Sequence, residues 1–364
     1  MDFVLPKYEA PDFGAELFVN APDARTAEVS ADGVAPENFH ATSMYPEYFK
    51  INGEWKLITG TRMDCVPRLN RDGSLETVEF RKLKAGDRVI TGRNDDGSEG
   101  IYLYTDGFRA AFGAATSDSF SFRSGRSRET SFAGDYERLA SLLRHDKTHG
   151  HIIWVLGPAA IFDKESRKCM EYIVGNGYCH VVFGGNAVAT HDLEGAMLGT
   201  ALGQDLETTR NVPNGHYNHL DVLNRAARCG GISEMIDEYG LEGGLVCTCV
   251  KNEVPLVLAG SIRDDGPLPE VVCHTSEVQD LMRAHTGRAT TVVCLGTQLH
   301  SIATGNLTPC YTVAEGEVRP VFIYAVDISE FALNKLRDRG SLEVTTIVSN
   351  IQDFLFKIVT LLDS

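Results

Sequence analysis

Val254-Pro255-Leu256-Val257-Leu258-Ala259-Gly260-Ser261-Ile262-Arg263-Asp264-Asp265-Gly266-Pro267-Leu268-Pro269 is the stretch that decides how this chain is built. Residues 257–259 are short and continuously apolar, the character of a strand buried on both faces. The run stops at Gly260, where the missing side chain lets a ligand approach the backbone. Open α/β sheets bind ligands at the carboxyl ends of their strands. Here that end leads into three successive charges, Arg263, Asp264 and Asp265, in a loop stiffened by Pro267 and Pro269. A solvated turn is the competing reading of an Asp-Asp-Gly loop.

The pattern around this stretch repeats. From His151 onward, apolar runs at 152–156, 179–183, 254–259, 291–295, 321–326 and 344–348 read as strands. Amphipathic stretches at 187–198, 220–239, 277–285 and 330–339 alternate with them, which specifies an α/β fold with a parallel sheet flanked by helices. The preceding part has a different texture. Between 48 and 105, short apolar runs are broken by Asn52-Gly53, Asn70-Arg71-Asp72-Gly73 and Asn94-Asp95-Asp96-Gly97, which predicts antiparallel hairpins. Residues 106–135, rich in Ser, Gly, Arg and Phe, read as a connecting segment. A chain of 364 residues has room for two domains, expected at 1–140 and 141–364.

Composition narrows the partners. A formal charge of −16 repels phosphate backbones and anionic lipid, so neither nucleic acid nor a membrane surface is expected. Arg123, Arg126 and Arg128 cluster, but Asp135 and Glu137 follow them. The start Met1-Asp2-Phe3 carries no secretory signal pattern, and no apolar run reaches the length of a membrane span. Nine cysteines, an odd number, suit reduced thiols in the cytoplasm. Cys247 and Cys249 stand too close for a Cys-x2-Cys half-site, so no metal is expected even with Cys273 and His274 nearby.

The other strand ends repeat the chemistry of the first. Gly184-Gly185-Asn186-Ala187 leaves backbone N–H groups free at a helix start, an anion site suited to a pyrophosphate. Gly296-Thr297-Gln298-Leu299-His300 repeats the small-then-polar junction, and Asp327-Ile328 puts a carboxylate where it can accept ribose hydroxyls or cap a helix. Cofactor contacts are therefore expected from Gly185, Asn186, Ala187, Gly260, Ser261, Asp265, Thr297, Gln298, Leu299, His300, Asp327 and Ile328. His191 and Asp192, in the helix after Gly-Gly-Asn-Ala, and Gly215-His216-Tyr217-Asn218-His219 read as a pocket wall. Lys251-Asn252 precedes the third strand, where a desolvated lysine could act as a base.

At this point the residues resemble a known family. His191-Asp192-Leu193-Glu194, Leu198-Gly199-Thr200-Ala201-Leu202-Gly203, Cys249-Val250-Lys251-Asn252, 259–269, Leu299-His300-Ser301-Ile302-Ala303-Thr304-Gly305-Asn306 and Asp338-Arg339-Gly340-Ser341 are similar to the LOR/SDH domain of archaeal-type ornithine cyclodeaminases. The C-terminal part of cyanobacterial arginine dihydrolase/ornithine cyclodeaminase shares that domain. The likeness covers roughly 150–360, and more loosely 45–140 through Tyr48-Phe49-Lys50-Ile51 and Leu83-Lys84-Ala85-Gly86-Asp87. It implies a small β-rich domain before a Rossmann-like, deoxyhypusine-synthase-like domain that holds NAD, in a homo-oligomer (dimer or tetramer). Two segments depart from the family: Ile161-Phe162-Asp163-Lys164 replaces a His- and Gly-containing run, and residues 126–136 lack an Arg-Ser-Tyr-like segment.

The implied reaction converts L-ornithine to L-proline and ammonia. An amine leaves a saturated carbon poorly, so oxidation at C2 by NAD, ring closure by the δ-amine, loss of ammonia and return of the hydride would leave the nucleotide unchanged and retained. Both amines must first lose protons. Lys251, His191, Asp264 or Asp265 could accept them, with Lys251 given the proton transfer and Asp265 a contact to cofactor or substrate. Asp192, Asn252, Arg263 and Asn306 are the expected substrate contacts. Two other functions fit the same residues: an NAD-dependent amino-acid or opine dehydrogenase, and a non-catalytic NAD-binding regulatory protein.

Overall fold

The computed structural model describes residues 3–108, 132–329 and 343–364. The first span holds a one-turn helix α1 (Glu16–Val19) and strands β1 (Arg25–Glu28), β2 (Glu47–Ile51), β3 (Glu54–Leu57), β4 (Cys65–Leu69), β5 (Leu75–Glu79), β6 (Arg88–Thr91) and β7 (Ile101–Leu103). They form two antiparallel sheets, β1-β6-β4-β5 and β3-β2-β7. Asn52 and Gly53, both at positive φ, turn β2 back into β3, which is the conformation an Asn-Gly hairpin requires. Phe49, Ile51, Ile58, Ile90 and Ile101 bury their side chains in one core between the sheets.

Helix α2 (Ala133–His149) leads into the second span: β8 (Ile152–Leu156), α3 (Lys164–Gly175), β9 (Val181–Gly185), α4 (Asn186–Leu198) and a small turn of β10 (Thr200–Ala201) with β11 (Gln204–Asp205). Helices α5 (Asn218–Cys229), α6 (Ile232–Tyr239) and α7 (Leu245–Lys251) lead to β12 (Leu256–Ala259). Then follow α8 (Thr275–Thr286), β13 (Thr291–Leu295), α9 (Gln298–Leu307), a hairpin of β14 (Tyr311–Ala314) and β15 (Glu317–Pro320), β16 (Phe322–Asp327), β17 (Glu343–Val348) and α10 (Ile351–Asp363).

The six main strands are parallel in the order β12-β9-β8-β13-β16-β17. This is a Rossmann-like sheet preceded by a smaller β-rich part, as the sequence indicates. Both faces are covered, and alternate residues of each strand divide between them. Trp154, Leu156, Val293 and Tyr324 pack under α2, α3 and α10, whereas Ile153, Val155, Val292 and Ile323 pack under α8 and α9. A third cluster ties α4 to α7 together beside β12.

Two features differ from the sequence reading. The stretch expected as one helix over 220–239 breaks at Gly230, whose φ of +92° stops α5 before α6 begins. The β14–β15 hairpin was not expected. It reaches out of the sheet to the β-rich part, where Cys310 and Tyr311 bury against Met44 and Phe108 and the Tyr311 hydroxyl donates to the Ile58 carbonyl. Glu79 pairs with Arg283 at 2.5 Å, and Asp280 with Arg81 and Lys82, so α8 joins the same contact. Phe3 spans farther still, its ring edge-on to Phe322 at 5.6 Å. The helix expected at 330–339 lies outside the described residues.

Candidate active site

A ligand crevice in an open parallel sheet forms where successive connections diverge to opposite sides. Here that point lies between β8, which continues through α3 to β9, and β13, which continues through α9 to β16. Gly157, just past β8, donates its N–H to the Leu295 carbonyl at 2.8 Å. A Cβ at Gly157 would fall 2.0 Å from the Gly296 carbonyl oxygen, so the two loops can cross only with glycine there.

Two helices begin on either side of this crossing. The first turns of α4 and α9 have no side-chain cap, which leaves backbone N–H groups directed at the carboxyl edge. Thr297, at the start of α9, turns its Oγ1 to His300 Nδ1 at 3.2 Å instead of capping. The His300 ring fills the space beside Gly185, where a Cβ would meet Cε1 at 3.1 Å. Burial holds the His300 pKa below its ordinary value, although nearby Asp264 pulls it upward.

The 260–269 loop forms the next wall. Gly260 donates to the Val272 carbonyl, and Asn186 Oδ1 fixes the far end by accepting from the Leu268 N–H at 3.0 Å and the Thr190 hydroxyl at 3.1 Å. Asp264 is half-buried, accepts from the Ser261 N–H at 2.7 Å and lies near enough to His300 to act on its charge. Arg263 and Asp265 are exposed. Asp327 ends β16, its Oδ1 accepting from the Ser329 N–H at 2.8 Å. Around the same edge Ile262, Leu299 and Ile328 are largely exposed, an apolar rim suited to the flat rings of a dinucleotide. Uncapped helix starts, a strand-end carboxylate and apolar rim residues together fit NAD.

A second group lies deeper on α4. His191 Nδ1 is 2.8 Å from Glu194 Oε2, and the ring faces Phe162 and His219 with centroids 6.3 and 6.0 Å away. Glu194 is fully buried and also accepts from the Thr200 hydroxyl at 2.7 Å, the Leu202 N–H at 3.1 Å and the Gly203 N–H at 3.0 Å. Burial alone would raise its pKa, but these bonds outweigh burial and hold the carboxyl below the usual range.

Several expected site residues stand elsewhere. Lys251 and Asn252 are exposed at the end of α7, which runs from the carboxyl edge back to the amino end of β12; Asn252 caps that helix through the Thr248 carbonyl. Asn306 lies in the last turn of α9, at the far end from Gln298. Asp192 is fully buried and closed in by the Arg167 Nε at 3.0 Å and the Val246 N–H at 2.8 Å, so it joins α3, α4 and α7 and presents no oxygen to a substrate. Proton transfer by Lys251 and substrate contacts by Asp192, Asn252 and Asn306 are therefore not supported by geometry, and of the paired aspartates it is Asp264, not Asp265, that turns inward. Glu194 was overlooked as a site residue, although its i,i+3 spacing from His191 placed both on one helical face.

Residues 137–358 match the family model described as arginine dihydrolase ArgZ-like, C-terminal, Rossmann fold. An ornithine cyclodeaminase of Methanopyrus kandleri is 35% identical over 346 residues, spanning 94% of this chain and 79% of that one. The chain belongs to the ornithine cyclodeaminase family. Within it, the bifunctional arginine dihydrolase/ornithine cyclodeaminase ArgZ of Synechocystis is 34% identical over 93% of this chain and 46% of its own. A LOR/SDH protein of Methanococcus maripaludis superposes with a TM-score of 0.84 at 32% identity, covering 94% of this chain and 98% of that one. The ternary complex of AgrE with ornithine and NAD+ superposes at 0.59 and 31% identity, over 94% of this chain and 46% of that one.

Residues 161–164, where the sequence reading expects a departure from the family, have local roles. Ile161 is buried in the core under α3, and Asp163 caps α3 through the N–H groups of Glu165 and Ser166. Phe162 is the residue of that segment that reaches the site, against His191. Of the departure at 126–136, residues 126–131 lie outside the described residues.

Proposed function

We propose that this chain converts L-ornithine to L-proline and ammonia with a retained NAD. The carrying observation is the meeting, at one crevice, of two uncapped helix starts with an inward carboxylate, Asp264, and a half-buried His300. Bound NAD would supply the oxidation and later reduction at C2 that let an amine leave. The protein's own work is to hold and deprotonate a dicationic substrate. Asp264 provides the charge that draws an ammonium into the crevice, while Ile262, Leu299 and Ile328 offer apolar surface at its rim for the nucleotide rings. Asp327 would accept ribose hydroxyls through the oxygen that Ser329 does not engage.

The reading extends to the whole chain: a β-rich domain at 1–140, a catalytic domain at 141–364, and a cytoplasmic homo-oligomer of two or four copies that forms proline from the products of arginine metabolism. All nine cysteines are free thiols, which supports a reducing compartment. Among the described residues, no helix is long and apolar enough to cross a membrane.

The test is direct. Protein purified without added nucleotide is denatured and its supernatant assayed for NAD; native protein is given ornithine, and proline, ammonia and absorbance at the NADH wavelength are followed. Proline and ammonia in equal amounts without net absorbance change are expected. Stoichiometric consumption of free NAD would make the chain a dehydrogenase, and bound NAD without turnover would make it a regulatory protein.

A further inference from the structure

Loss of ammonia from C2 requires a group that takes a proton from one substrate amine and can return it to the departing one. The α4 cluster has the form of such a device. His191 is buried except for a small part of its ring, its Nδ1 is engaged by Glu194, and among the described residues its Nε2 has no hydrogen-bond partner. A carboxylate against Nδ1 fixes the tautomer with the proton on Nδ1 and leaves the Nε2 lone pair free.

Glu194 is itself held with unusual completeness. Both oxygens accept two bonds each: Oε1 from Thr200 and Gly203, Oε2 from His191 and Leu202. Asn218 in turn donates to the Thr200 hydroxyl at 2.7 Å, so the hydroxyl proton is committed to Glu194. The turn that delivers these groups adopts left-handed backbone at Leu202 (φ +52°) and Gly203 (φ +72°). Leucine rarely occupies that region, and there it aims its N–H at a buried carboxylate. A structural helix residue would not need a second segment bent to serve it. Asp192, two positions earlier and equally buried, shows the contrast, since its partners are an arginine and a helix N–H and no titratable ring is attached.

We propose that Glu194 is a positioning residue that orients His191 as the proton acceptor for the substrate amine. On this reading, which rests on the ornithine cyclodeaminase activity above, a substrate ammonium gives its proton to His191 Nε2. The imidazolium is stabilised by the Glu194 carboxylate across the Nδ1–H bond, and the same proton returns to the amine that leaves. No net proton is gained by the dyad. His219 and Phe162 pack edge-on to the His191 ring, with centroids 6.0 and 6.3 Å away.

The experiment uses the holoenzyme with its bound nucleotide. Histidine-selective 15N spectra of the wild-type protein, assigned by the His191→Asn variant, should show His191 with a protonated Nδ1 and a bare Nε2 near neutral pH. The His191→Asn variant should lose roughly 10²- to 10⁴-fold in kcat for ornithine, the usual share of general acid–base catalysis, with NAD content and KM little changed. Glu194→Gln should lower kcat and move the acidic limb of its pH profile to lower pH, because the imidazolium loses its counter-charge; a purely structural glutamate would lower both protein yield and NAD content without moving that limb. If Glu194→Gln does not fold, the wild-type tautomer decides. A proton on Nε2, or undiminished turnover by His191→Asn, overturns the proposal. An inert wild-type enzyme would overturn the activity instead, and the spectrum would still decide the dyad.

Discussion

Asp192 and Glu194 stand two positions apart on α4, so they point to different sides of the helix. Asp192 neutralises Arg167 inside the protein, and removing one partner of a buried pair leaves the other charge unpaired. Asp192→Ala should therefore cost about 3–5 kcal/mol in chemical denaturation, whereas Asp265→Ala, on an exposed loop position, should stay within about 0.5 kcal/mol. Asp327 offers a separate test. If it holds ribose hydroxyls, Asp327→Ala should weaken NAD binding about tenfold to hundredfold, the worth of bonds to a charged group; unchanged affinity measured by calorimetry would reduce it to a cap for Ser329. The residue types of this site were legible in the sequence, but not their directions. Lys251 carries the right chemistry, yet its position on α7 is set by where that helix ends, and nothing local to Cys249-Val250-Lys251-Asn252 encodes which edge of the sheet that is.

At the level of elements, the crossing of the loops after β8 and β13 is the most demanding geometry in the sheet. Gly157→Ala would press a methyl group onto the Gly296 carbonyl, and backbone at both strand ends would have to shift. Loss of retained NAD together with a lowered melting temperature is the expected result, and an unaltered nucleotide content would show that the crevice tolerates the displacement. The inner strands were legible because β8, β13 and β16 are apolar runs buried on both faces, a pattern few other elements produce. The β14–β15 hairpin was not, since β14 and β15 pair only with each other and bury Tyr311 against a part of the chain far away in sequence. The Gly230 break was legible in principle, as Gly230-Gly231 interrupts an otherwise helical stretch.

Across the whole molecule, acid sensitivity should come from the edge opposite the active site. His151 stacks between His180 and His285, with centroids 5.6 and 5.3 Å away, and its Nε2 lies 3.1 Å from His285 Nδ1. Burial, helped by Arg288 and the two neighbouring imidazoles, pushes the His151 pKa down to about 3. An unfolded histidine titrates near 6.5, so between these values the unfolded chain binds a proton that the native protein refuses. Stability from this group is complete above about pH 6.5 and is lost as pH falls toward 3. His180 and His285 shift in the same direction through burial. The denaturation midpoint should fall between pH 7 and pH 5, and His151→Phe, which keeps a stacked ring, should flatten that fall; identical slopes for both proteins would exclude the stack as the cause. Contacts between the β-rich part and the sheet, such as Glu79 with Arg283, had no periodic signature to reveal them, because they join isolated residues from distant parts of the chain. Phe3 reaches farther along the chain than these contacts do. Its ring waits for Phe322, and at about 5–20 residues per second a ribosome needs on the order of half a minute to make the partner. The segment that carries Phe3 is thus made long before its partner, and during that interval a chaperone or protease meets it without the Phe322 contact.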